Sequence, residues 1–166
     1  MKNRIIKGKA FVFGPNIDTD QIYPGRYLEI TDPEDVARHA MEGADPELVR
    51  EFTDGDVIVA TTNFGCGSSR EHAAITLKAI GVGAVIADSF ARIFYRNAIN
   101  LGLPLIVCKG FGNMVKKGDV VQIEFGSGVI TNVTTGAIAQ AEPLSDYTLN
   151  ILSCGGIKPL IKQQMK

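Results

Sequence analysis

Asp56-Val57-Ile58-Val59-Ala60, Asn63-Phe64-Gly65-Cys66-Gly67-Ser68-Ser69-Arg70-Glu71-His72 and Ala73-Ala74-Ile75-Thr76-Leu77-Lys78-Ala79-Ile80 follow one another with only a two-residue gap. The first is an apolar run, the second a glycine-rich loop and the third a helical pattern. This is the order of a strand, a tight connection and a helix start, the unit from which α/β layers are built. Such a junction turns backbone N–H groups and the positive end of a helix dipole toward one point. Two hydroxyls, a guanidinium and an imidazole are delivered to the same place. The combination suits a small anion.

Upstream, Ile5 to Phe13 reads as a first strand, followed by the turn-rich Gly14-Pro15-Asn16. Asp18 to Leu28 has no clean period and reads as an ordered loop. Thr31-Asp32-Pro33-Glu34 opens a short helix to about Met41, and a second follows Asp45-Pro46. Downstream, the pattern predicts a helix over 69–80, a buried strand over 84–87, a helix over 89–97 and a buried strand over 104–108. Past residue 118, short strands punctuated by Gly126, Gly128 and Gly136 read as antiparallel hairpins. A helix from Asp146 to about Leu152 ends at Gly155-Gly156, and a terminal helix leads into a basic tail. With 166 residues, 45% of them hydrophobic, the chain reads as one layered α/β domain spanning 1–166.

The 17 basic and 18 acidic residues leave a net charge of -1. No basic stripe alternates with aromatics, so a nucleic-acid partner is not expected. The start, Met1 to Lys7, is too polar for a secretory segment, and no apolar run approaches membrane-spanning length. The three cysteines, Cys66, Cys108 and Cys154, suit neither a disulfide framework nor a zinc site. A cytoplasmic protein with no metal ligands of its own is the expectation.

The loop itself allows two readings. Ser68-x-x-Glu71 matches a capping box, in which Ser68 would satisfy helix N–H groups and Glu71 would reach back. However, two successive serines exceed what a cap needs, and Arg70 stands at a helix N-terminus, where a cation is unfavourable. A residue placed against its local preference points to a bound anion. Other loop chemistries do not fit. The dinucleotide fingerprint lacks its third glycine, no Gly-Lys-Ser/Thr is present, and there is no Gly-x-Ser-x-Gly elbow. A Cys66–His72 thiol pair lacks a third group to orient the imidazole.

Three motifs in order carry a resemblance: Asp18-Thr19-Asp20, Asn63 to His72, and Ser89-Phe90-Ala91-Arg92-Ile93-Phe94-Tyr95-Arg96-Asn97. From about Lys7 to Gly155-Gly156 the chain resembles the small subunits of 3-isopropylmalate dehydratases, in the aconitase superfamily. The resemblance implies a swivelling three-layer β/β/α domain. It also implies a separate large subunit, in a heterodimer or heterotetramer, whose cysteines hold a [4Fe–4S] cluster. This sequence has no cysteine set for such a cluster, so it would supply a base and an anion clamp.

By resemblance the base is Ser68, acting as an alkoxide held by backbone N–H groups and by Arg70. Ser69 and Arg70 would contact a carboxylate of a small dicarboxylate substrate, the arginine bidentately. Asp20 would belong to the acid–base and hydrogen-bond shell, supported by Thr19, although an Asx-type turn is the ordinary reading of Asp18-Thr19-Asp20. Gly65, Cys66 and Gly67 shape the loop. Arg92 and Arg96 lie four apart, beside Tyr95. They form either a solvated face or, by resemblance, support for the loop or a contact with the large subunit. His39 and His72 read as structural or surface residues.

The segment Tyr27-Leu28-Glu29-Ile30 would approach the variable group of the substrate. Leu28 and Ile30 suit an apolar group. Homoaconitase-type members carry arginine at the position of Glu29, and isopropylmalate-specific members an apolar residue. Glu29 departs from both and would repel an extra carboxylate. The implied activity is dehydration and rehydration between 2-isopropylmalate and 3-isopropylmalate, in leucine biosynthesis. A 2,3-dimethylmalate dehydratase, a homoaconitase, and a non-catalytic anion-binding module are the alternatives.

Overall fold

The computed structural model describes residues 3–166. In chain order the elements are β1 (Ile5–Val12), α1 (Thr19–Ile22), α2 (Pro33–Ala37), α3 (Leu48–Glu51), β2 (Val57–Val59), α4 (Glu71–Ile80), β3 (Ala84–Ala87), α5 (Arg92–Asn100), β4 (Leu105–Val107), β5 (Val120–Glu124), β6 (Val129–Asn132), β7 (Ile138–Gln140), α6 (Asp146–Ser153) and α7 (Ile157–Gln164). The strands lie in the order β4-β3-β2-β1-β5-β6-β7.

Strand β1 belongs to two layers. Its first part pairs antiparallel with β5, from Ile5↔Glu124 to Lys9↔Val120, and its last part pairs parallel with β2, from Ala10↔Val57 to Val12↔Val59. At the handover the buried Asp56 carboxylate accepts the Lys9 N–H at 2.9 Å and the Thr53 N–H at 2.9 Å. Gly8 is required there, because a Cβ would stand 2.5 Å from the Gly55 carbonyl oxygen. The sheet then curls until its far ends meet, with the Glu142 N–H donating to Val107 O at 2.8 Å.

The curl produces two cores. In β2 the alternation required by the pleat sends Ile58 to one face and Val57 and Val59 to the other. Ile58, Val85 and Leu105 pack against Ala74, Leu77, Phe94 and Ala98 of α4 and α5. Val57, Val59 and Ile86 pack against Val121, Ile123 and Ile130 of the antiparallel layer. Burial on both faces explains why the parallel strands read as unbroken apolar runs. The result is the β/β/α layering expected from the resemblance.

Several boundaries differ from the sequence reading. The segment after Asp18 contains a one-turn helix, because Asp18 and Gln21 form a complete capping box. Helix α2 stops at Ala37, and the chain continues in turns through Met41, whose φ is 59°. Helix α5 begins at Arg92 because Phe90 is still extended and bridges to Phe64. Among the described residues no helix is long and apolar enough to cross a membrane.

Candidate functional site

Parallel strands β1, β2 and β3 run in the same direction, so the loops leaving them meet at one edge. The Gly65 N–H donates to Ile17 O at 2.7 Å and the Thr19 N–H to Cys66 O at 2.8 Å. The Phe64 N–H donates to Ser89 O at 3.1 Å, and the Ala91 N–H returns to Phe64 O at 2.9 Å. All three sequence motifs are therefore laced into one platform, at the carboxyl ends of the strands, where open α/β sheets bind ligands. Gly65 has φ 86°, and a Cβ on it would run into the Phe94 ring. Only glycine fits.

Asn16 and Asn63, at φ 57° and 61°, are also left-handed. Asparagine is the side chain that best tolerates that region. Their side chains meet, Asn63 Nδ2 to Asn16 Oδ1 at 3.2 Å, and the Asn63 N–H donates to Ser89 Oγ at 2.8 Å. Sequence reasoning missed this rim pair, although the turn signal at Gly14-Pro15-Asn16 pointed to it.

Ser68 is not the helix cap. Helix α4 begins at Glu71 with Arg70 at the capping position, and among the described residues there is no side-chain cap hydrogen bond. The Ser68-x-x-Glu71 pattern fails because residues 68–70 remain outside the helix. Two consequences follow. The first turn of α4 has no side-chain cap among the described residues, as an anion site requires. The Ser68 hydroxyl is exposed and instead meets Thr19 Oγ1, which is buried, at 3.1 Å.

Arg70 donates from Nη1 to Asp20 Oδ1 at 2.8 Å and to Tyr23 O at 3.5 Å. Asp20 Oδ1 also accepts the Gly25 N–H at 2.9 Å. The Arg70 hydrogen bond, then the Gly25 N–H, hold the Asp20 carboxyl below its ordinary pKa. Asp20 therefore stays ionised and answers the charge of a cation at a helix start. Nη2 and Nε of Arg70 make no hydrogen bond among the described residues and remain available to a ligand carboxylate.

Ser69, Leu28 and Glu29 are exposed, and Ile30 and Cys66 are partly so. The site is thus an open surface. Two cavities, of about 210 Å³ beside Phe125 and Leu149 and about 310 Å³ between α4, α5 and α7, include neither Ser68 nor Arg70. Arg92 and Arg96 are exposed and make no ion pair among the described residues. His72 stacks on the buried Tyr23 ring, with centroids 5.5 Å apart, and His39 on Tyr27, at 3.6 Å.

The donor set does not fit a metal cluster. Cys108 is buried, its thiol is pushed above the ordinary value by that burial, and it faces Gln140 O. Cys154 Sγ lies 3.0 Å from Gln163 Oε1. Among the described residues no three His, Cys, Asp or Glu side chains converge as metal ligands.

The aconitase C-terminal domain family matches residues 16–109, more than half of the chain and all three motifs. This chain belongs to the aconitase family. It is 55% identical over 160 residues to 3-isopropylmalate dehydratase small subunit 1 of Methanopyrus kandleri, covering 96% of this chain and 94% of the relative. It is 51% identical to the isopropylmalate/citramalate isomerase small subunit of Methanocaldococcus jannaschii, covering 97% and 96%. The crystal structure of a 3-isopropylmalate dehydratase from the latter organism superposes with a TM-score of 0.94 at 45% identity, over 98% of this chain and 96% of that one. Within the aconitase family the chain is a dehydratase small subunit, a hydro-lyase component.

Proposed function

We propose that this aconitase-family chain forms half of an active site that interconverts 2-isopropylmalate and 3-isopropylmalate in the cytoplasm, within leucine biosynthesis. The observation that carries this reading is the meeting of two separate motifs, Ser68 and Arg70 from one and Asp20 from the other, on an exposed platform. An exposed anion clamp with no enclosing cavity is half of a site. The other half belongs to a large subunit, in keeping with the names of the relatives. A [4Fe–4S] cluster there would supply the Lewis acid for the departing hydroxyl.

Ser68 takes the carbon-bound proton, and in the return direction gives it back to the adjacent carbon. One C–H and one C–O bond of the malate break, the departing hydroxyl takes up a proton from a second acid in the other half of the site and leaves as water, and re-addition at the exchanged carbons returns that proton to the acid. A serine oxyanion needs nearby donors. Thr19 Oγ1 lies 3.1 Å from the Ser68 oxygen, and Arg70 and the N-terminus of α4 follow Ser68 directly in the chain. Arg70 and Ser69 hold a substrate carboxylate, and Asp20 keeps Arg70 in place. Leu28 and Ile30 face the apolar substituent.

A second substrate is favoured by a specific observation: the Methanocaldococcus relative is named for citramalate as well as isopropylmalate. Citramalate carries a methyl group where isopropylmalate carries a branched one, and the same clamp serves both. The test is to mix the purified chain anaerobically with its large subunit and assay 2-isopropylmalate, citramalate, 2,3-dimethylmalate and homocitrate side by side. Turnover of isopropylmalate is expected. Preference for homocitrate would contradict the role given to Glu29, and turnover of none would favour a binding module.

A further inference from the structure

The turn from Gly25 to Ile30 adjoins the anion clamp. A Cβ built on Gly25 would stand 3.1 Å from Arg70 Nη2, and the Gly25 N–H shares Asp20 Oδ1 with Arg70. A molecule whose carboxylate is held by Arg70 therefore meets this turn next. Leu28 and Ile30 are held by little of their own: the Leu28 N–H reaches Gly25 O at 3.2 Å and the Ile30 N–H reaches Tyr27 O at 3.1 Å. Their position depends on Tyr27.

Tyr27 is gripped by a socket outside the site. Its carbonyl accepts the Tyr23 hydroxyl at 2.7 Å, and its own hydroxyl donates to Glu42 Oε1 at 3.2 Å. Its ring lies 3.6 Å from the His39 ring, tilted only 13°, and the Arg26 guanidinium lies 4.7 Å from its centroid. The His39 Nδ1–H donates to Glu42 Oε2 at 3.1 Å, and Arg26 Nη2 lies 3.9 Å from the same oxygen. The socket is itself tied to α1. The Met41 N–H donates to Ile22 O at 2.7 Å, the Gly43 N–H donates to Gln21 O at 3.0 Å, and Met41 is fully buried at φ 59°. A buried side chain in that backbone region persists only where packing over-determines it.

We propose that His39 and Glu42 are positioning residues for substrate selectivity. Through Tyr27 they hold the Gly25–Ile30 turn at a fixed distance from Arg70, and that distance sets the size of apolar substituent accepted beside the bound carboxylate. The selectivity rests on the clamp role given to Arg70 above; the socket itself does not.

Two measurements test it. In the purified chain, amide hydrogen exchange over 25–30 should quicken about five- to tenfold in His39→Ala and Glu42→Ala, as expected for loss of one aromatic stack or one hydrogen bond. His39→Phe, which keeps the stack, should exchange near the wild-type rate. In the reconstituted enzyme, His39→Ala should raise KM for 2-isopropylmalate about fivefold while changing KM for citramalate less, with kcat for both largely retained. His39→Phe should restore the wild-type ratio. Unchanged exchange, or an equal loss on both substrates, would overturn the proposal. Inactivity of the wild-type pair on every malate would overturn the proposed function and the selectivity with it, while the exchange result would still decide the socket.

Discussion

The buried Thr19 hydroxyl lies 3.1 Å from the exposed Ser68 hydroxyl, joining residues 49 positions apart in the chain. The Thr19 backbone N–H is committed to Cys66 O, and its hydroxyl meets that of Ser68. As donor it would favour the charged form of the serine oxygen. Thr19→Val should therefore lower kcat about five- to tenfold, the value of one hydrogen bond, with little change in KM. Thr19→Ser, which keeps the hydroxyl, should recover most of the loss in the same assay.

The Asp20–Arg70 pair has a definite pH signature. The folded pKa of Asp20 lies below its ordinary value of 3.8. Its contribution is thus fully present above that value and is lost as pH falls through the folded pKa. Wild type and Asp20→Asn should differ in unfolding midpoint near neutral pH and converge once the pH has fallen below the lowered folded pKa of Asp20. The gap should be small and salt-sensitive, because the Asp20 side chain is 67% exposed. In the enzyme, Asp20→Asn should raise KM about tenfold through a less well-held Arg70.

Gly65→Ala tests the platform rather than the chemistry. The substitution places a methyl against the Phe94 ring at a left-handed backbone position. It should cost about 2 to 4 kcal/mol of stability, visible in thermal or denaturant unfolding of the chain alone. Gly14→Ala, whose Cβ meets nothing within 4 Å, is the control.

Glu29 is exposed and makes no ion pair among the described residues. Its replacement by alanine should leave isopropylmalate turnover near wild type. Removing one like charge at close range should improve KM for homocitrate by about fivefold. Steady-state kinetics on the two substrates reads both effects.

Much of this architecture was legible in the sequence because it depends on local pattern. The apolar runs at 56–60, 84–87 and 104–108 became β2, β3 and β4, since a strand buried on both faces has few alternatives. The glycine loop was located correctly, but its termination was not. Nothing local distinguishes a capping box from the same four residues kept outside a helix, with Ser68 bonded to the distant Thr19 and the preceding Gly65 to Ile17. The partner of Arg70 was equally hidden, because Asp20 reaches it only after β1 and β2 pair. The Tyr27 socket escaped for the same reason: His39 and Glu42 show no motif, and their role arises from a stack formed across the chain.

The central claim is that this chain supplies the base. The most direct measurement is kcat of Ser68→Ala reconstituted with the large subunit under anaerobic conditions, with subunit assembly verified. A loss of about two to four orders of magnitude is predicted, as for removal of a positioned acid–base group, with substrate binding retained through Arg70. Turnover at the wild-type rate would contradict the account.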